Sequence, residues 1–167
     1  MALIIEDGTG KADAESYATA AELVSYAGKY GVTLPDDEAS QEALLRRAAV
    51  SMNAMKWKGS RANASQALAW PRREVWIEGE LRSKTMIPRE IQYGQMALAA
   101  EIHNDDVNPP QAQKGAVIRE RVEGAVEVEY ATITNSSGYV LPVSADKPSK
   151  TLFADFLLRR GLFAIRA

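Results

Sequence analysis

The chain is 167 residues long, 46% hydrophobic and 25% charged, which supplies apolar material for one core and departs from the composition of disorder. With no cysteine it can form no disulfide, thiolate metal site or thiol nucleophile, and no apolar run approaches the ~20 residues needed to cross a bilayer. Its net charge of −2 is the balance of opposed blocks: −7 over residues 1–45, +6 over 46–92, −4 over 93–130 and +3 over 131–167.

Residues 1–7 (MALIIED) are apolar and read as a strand or an extended arm, closed by Gly8-Thr9-Gly10, with no basic-then-apolar signal segment. Thr19 and Glu22 have the spacing of a capping box, so a helix is expected from there to about Tyr30, with Gly31 as its left-handed stop. Pro35-Asp36-Asp37 opens a second helix with acids at its positive dipole end. Leu44, Leu45, Ala48, Ala49, Met52 and Met55 then recur at spacings of three and four, one buried face of a helix ending near Lys56. Residues 60–87 read as irregular, with a turn at Glu78-Gly79. Pro88 suits the first position of a third helix to about Asn104, with Ile91, Leu98 and Ile102 along one side and residues 105–110 breaking it.

Residues 117–130 (VIRERVEGAVEVEY) alternate apolar and charged positions, the period of a half-buried strand pair kinked at Gly124. Asn135-Ser136-Ser137-Gly138 reads as a loop. Ser149 caps a last helix with Leu152, Phe153, Phe156 and Leu157 inward, Arg159 and Arg160 in its final turn and Gly161 as its stop, followed by residues 162–167 (LFAIRA). The expected fold is mainly α, a bundle of about four helices with a small antiparallel β element and extended terminal arms. It forms a single domain with a helical core over about 16–104 and 149–161, a hairpin region over about 115–143 and a docking tail at 162–167.

No catalytic centre emerges from this pattern, so no enzyme, cofactor, metal or membrane partner is expected. His103, the only histidine, lies near the end of the third helix beside Asp105 and Asp106, where the dipole favours it. No second histidine or cysteine completes a metal set around it. Gly8-Thr9-Gly10 resembles the start of a phosphate loop but lacks the later glycine and lysine. Glu127 and Glu129 read as solubilising charges.

Two features point to binding instead. Lys56-Trp57-Lys58-Gly59-Ser60-Arg61 is continued by Trp70-Pro71-Arg72-Arg73 and Trp76, so all three tryptophans are interleaved with bases. Single-stranded nucleic-acid sites are composed this way, rings stacking on bases and cations following phosphates. The alternative is that the tryptophans pin an irregular segment to the core, each burying ~150–250 Å². The second feature is the apolar Leu162, Phe163 and Ile165 beyond the helix stop, which either fold back as an edge strand, lie exposed or dock on a partner. The opposed charge blocks, where folding keeps them apart, suit head-to-tail pairing with copies of the chain.

Taken together, Glu6-Asp7-Gly8-Thr9-Gly10, Glu15-Ser16-Tyr17, Leu44-Leu45-Arg46-Arg47-Ala48, Trp57-Lys58-Gly59-Ser60-Arg61, Gln66-Ala67-Leu68-Ala69-Trp70-Pro71-Arg72, Ile87-Pro88-Arg89, Arg119-Glu120-Arg121-Val122 and Val126-Glu127-Val128-Glu129-Tyr130 form a succession that spans nearly the whole chain. It resembles the DnaT-like single-stranded DNA-binding family of tailed bacteriophages, whose members are similar to head–tail adaptor (connector or head-completion) proteins. The resemblance implies a helical adaptor with a small β element. About twelve copies would form a ring beneath the portal protein, around the DNA channel, and join it to a tail or stopper (nozzle) protein. It also implies a place in the virion neck, assembly in the host bacterial cytoplasm, and DNA that passes without sequence-specific binding; residues 105–116 and 131–148 stand as insertions. On that reading Arg159, Arg160, Leu162, Phe163, Ile165 and Arg166 bind the partner. On the alternative, a single-stranded DNA-binding protein, the site is Trp57, Lys58, Arg61, Trp70, Arg72, Arg73 and Trp76.

Overall fold

A computed structural model of the chain describes residues 3–108, 117–122, 126–130 and 147–158. Helix α1 (Ala20–Tyr30) begins where the capping box is expected: Thr19 Oγ1 accepts the Glu22 amide at 3.2 Å, and the Glu22 carboxylate accepts the Thr19 amide at 2.7 Å. It ends on Gly31 at φ 65°, a left-handed residue that a side chain would disfavour. Helix α2 (Glu38–Asn53) starts from Asp37, whose carboxylate accepts the Ser40 amide at 3.1 Å. It stops short of Lys56 because the indole of Trp57 donates to the Met52 carbonyl at 2.8 Å, the acceptor that another helical turn would need.

Two short antiparallel ladders follow, β1 (Ser60–Arg61) with β2 (Arg72–Arg73) and β3 (Trp76–Ile77) with β4 (Glu80–Leu81). Helix α3 (Arg89–Val107) is entered through Pro88 as its cap and not as its first turn. It runs past Asn104, against the expected break at 105, because its acidic end is held from outside. Arg47 of α2 grips Asp106 with two bonds, at 2.5 and 3.1 Å, and Lys147 pairs with Asp105 at 2.5 Å. Strands β5 (Val117–Val122) and β6 (Val126–Tyr130) pair antiparallel, from Val117 opposite Tyr130 to Val122 opposite Val126, with an irregularity between Val117 and Arg119. Gly124 and the loop at 135–138 lie outside the described residues.

Helix α4 (Pro148–Phe153) is shorter than the expected 149–161. Lys147 is its cap, and Ser149 instead donates its amide and hydroxyl to Glu101 of α3, at 2.8 and 2.7 Å. Beyond Phe153 the backbone leaves the helix to pair with the chain after α2: Lys58 donates to the Phe156 carbonyl and Leu158 to the Lys56 carbonyl, both at 2.9 Å. Arg159, Arg160, Gly161 and residues 162–167, including Leu162, Phe163, Ile165 and Arg166, lie outside the described residues.

Among the described residues, four helices and three two-stranded sheets give a mainly α fold organised around α3. One core cluster joins Leu23 and Tyr26 of α1, Leu44, Leu45 and Ala48 of α2, and Met96, Ala97 and Ala99 of α3. The other gathers Tyr17, Met52, Trp57, Trp70, Val75, Ile77, Ile91, Phe153 and Phe156 beneath the irregular segment. Small residues let α3 be packed closely: a β-carbon on Gly94 would lie 2.0 Å from Cε1 of Phe153. Of the side expected to face inward, Ile91 is fully buried while Leu98 and Ile102 are half-buried.

Candidate nucleic-acid interface

The segment between α2 and α3 has two layers. Inside it, Trp57 and Trp70 are closed off from solvent and meet edge to face with centroids 6.0 Å apart; Phe153 stands 5.1 Å from Trp57 and Phe156 5.5 Å from Trp70. The backbone amide of Trp70 donates to the Tyr17 hydroxyl at 2.9 Å, and burial raises the pKa of that phenol. Both rings are therefore core braces with no face open to a base. Trp76 differs. It is 58% exposed, and its cross-strand partner Leu81 is 57% exposed. The turn between them, Glu78 at φ 52° and Gly79 at φ 83°, has two left-handed residues, the geometry that matches strand twist in a two-residue hairpin.

Beside this hairpin lies a concentration of cations. In the β1–β2 ladder Arg61 stands opposite Arg72 and Ser60 opposite Arg73, so two like charges occupy one cross-strand pair, an unfavourable arrangement in isolation. Arg72 is held by backbone carbonyls: its guanidinium donates to Lys58 at 2.8 Å, Gly59 at 2.7 Å and Ala69 at 3.1 Å. Burial, and secondarily the charge of Arg61, lower its pKa. Arg73 donates to the Ser60 hydroxyl at 3.0 Å and Arg61 to the Gln66 carbonyl at 3.3 Å. Among the described residues, Arg61, Arg72 and Arg73 form no ion pair with a carboxylate. Residues 56–84 carry seven bases against three acids. Only Glu74 and Val75 separate Arg73 from Trp76, a backbone span of at most ~11 Å. Lys58 is half-buried and Arg61 exposed.

The seven residues of the nucleic-acid reading differ in exposure. Arg61, Arg73 and Trp76 are exposed, Lys58 and Arg72 are half-buried, and Trp57 and Trp70 are buried. Elsewhere, the glycine loop is occupied by the chain's own carboxylate. Glu6, 1% exposed, accepts the amides of Gly8, Gly10 and Lys11 at 2.9, 2.8 and 2.8 Å, so no phosphate has room there. His103 is half-buried on α3, and among the described residues no three histidine or acidic side chains gather as a metal site.

A family model described as "Putative DnaT-like ssDNA binding protein" matches residues 1–162. The chain belongs to this family. No curated protein and no solved structure matches it. Many of the residues that carry this DnaT-like resemblance are staples of the fold. Glu6 organises the first loop, Tyr17 fixes Trp70, and Gln66 donates to the carbonyls of Leu68 and Pro71 at 2.8 and 3.0 Å. Sequence reasoning missed the fully buried Gln95 of α3, whose amide donates to Ser16 Oγ and the Leu45 carbonyl, both at 2.9 Å, and accepts the Tyr17 amide at 2.8 Å. The only signal was a polar residue in a stretch otherwise rich in small apolar ones.

Proposed function

We propose that this DnaT-like chain binds single-stranded DNA on the β1–β2 ladder and the β3–β4 hairpin, as a binding protein and not an enzyme, without cofactor or metal. The observation that carries this reading is the pairing of Arg61 with Arg72, Arg73 alongside, three residues from the exposed ring of Trp76. A phosphate is drawn to the local excess of arginine charge, and an exposed indole gives a neighbouring base a surface to stack on. Family membership points the same way. The chain's net charge of −2 does not oppose it, because the field at the site is set by the local excess of bases.

The test is fluorescence anisotropy of a labelled oligothymidylate. Trp76→Ala weakens binding about tenfold or more, the worth of one stacked base. Arg73→Ala lowers the slope of log affinity against log salt by about 0.7, the loss of one phosphate contact. Binding that is indifferent to both substitutions removes this site.

A second reading is favoured by the closure of Trp57 and Trp70, which leaves a stacking surface of one ring. A head–tail adaptor needs little more, because DNA in a neck channel must slide. On this reading copies form a ring, of about twelve by family resemblance, between portal protein and a tail or stopper protein in the virion neck. Sedimentation of the chain with purified portal protein tests it: joint sedimentation is expected, and separate migration contradicts it.

A further inference from the structure

We propose that the groove between α1 and the start of α2 receives residues 162–167 of a second copy of the chain, so that copies join head to tail. The groove is open to solvent, with a volume of about 580 Å³. Ala21, Val24, Leu34 and Pro35 give it an apolar floor, Asp36 and Glu38 stand among its lining residues, and among the described residues no basic side chain lines it. Val24 is 48% exposed although Ala20 and Ala27 of the same helix are buried, so an apolar side chain faces water beside two acids. Residues 159–167 (RRGLFAIRA) have the complementary chemistry: Leu162, Phe163 and Ile165 for the floor, three arginines for the acids, and no acidic side chain. The first 45 residues, which build the groove, carry −7.

Reach decides whose groove it is. The Leu158 amide bonds the Lys56 carbonyl, just past the C-terminal end of α2, whereas the groove touches α2 only at Glu38 and Gln41. From Gln41 to Asn53 the helix rises about 18 Å. Four extended residues carry Leu162 at most about 14 Å from Leu158. The tail of the same copy therefore leaves from the far end of α2, a helix rise of about 18 Å from Gln41 against the roughly 14 Å that Leu162 can travel, which favours a neighbour's groove as its receptor. The donated and receiving surfaces differ, so the contact is heterologous and propagates from copy to copy into a ring or a filament. It shares no residue with the nucleic-acid face.

The test is light scattering behind size exclusion over a concentration series of the full chain, with Val24→Asp as groove variant, Phe163→Asp as tail variant and Glu38→Lys as a second groove variant. The wild type rises above its monomer mass of 18.2 kDa as concentration increases, and added salt reverses part of the rise. Each variant alone stays at monomer mass. An equimolar mixture of Val24→Asp and Phe163→Asp forms dimers and nothing larger, because one intact tail meets one intact groove. None of the three substituted residues is among those proposed to bind nucleic acid, so oligonucleotide binding by each variant separates this proposal from that reading. A wild type that stays monomeric, assembly that survives the groove and tail substitutions, or a mixture that stays monomeric overturns the proposal.

Discussion

At Gly94 the ring of Phe153 takes the space a β-carbon would need, with Cε1 only 2.0 Å from where that atom would sit. Gly94→Ala therefore sets two effects against each other. Helix propensity favours alanine by about 1 kcal/mol, while forcing a fully buried aromatic ring off the α3 backbone costs about 1–3 kcal/mol. The overlap is too deep to be absorbed by a few tenths of an ångström, so the variant should unfold at lower denaturant than the wild type. A raised midpoint would show that α4 moves freely. Glu6 makes the same kind of argument with charge: its carboxylate is the acceptor for three backbone amides in the first loop. Glu6→Ala leaves those donors without their partner and should cost on the order of 3 kcal/mol, read from the same denaturation curve.

Among elements, acidic groups on three segments are tied by ion pairs and hydrogen bonds that acid will release. The Arg47 guanidinium holds the Asp106 carboxyl below its ordinary range, Arg46 does the same for Glu15, and Thr9 and then Lys11 bring Asp7 from 3.8 to about 2. All three carboxylates have lower pKa values folded than unfolded, so their contribution is complete above the ordinary carboxylate range. It fades as pH falls through the folded values, for Asp7 between about 4 and 2. Thermal melts should lose stability on acidification across that window, and Arg47→Ala should flatten the loss by removing the α2–α3 contribution. An acid slope unchanged by this substitution would mean that the pair contributes nothing, as many exposed pairs do.

The elements also divide by how locally they are specified. Thr19 and Glu22 cap α1 through contacts three residues apart, so its start and its Gly31 stop are legible in the chain itself. The early end of α4 is not, because the chain past Phe153 leaves the helix and Leu158 bonds Lys56, about a hundred residues back in the sequence. Asp105 and Asp106 look like a helix break until Lys147 and Arg47 arrive from elsewhere. The three tryptophans share one composition but not one fate. Trp57 and Trp70 pack against Phe153 and Phe156, whereas Trp76 takes the outer face of a short strand whose next residue, Ile77, is buried.

For the whole molecule, the closure of two tryptophans simplifies the decisive measurement. Single-stranded DNA is proposed to stack on Trp76 beside Arg61, Arg72 and Arg73. Intrinsic fluorescence at low salt reads this directly, since Trp57 and Trp70 are shielded and Trp76 is the one indole a base can touch. Titration with an oligothymidylate should quench the solvent-exposed part of the emission, added salt should reverse the quenching, and Trp76→Phe should abolish it. Emission that does not change at low salt, or equal quenching of the wild type and Trp76→Phe, would rule out stacking on Trp76.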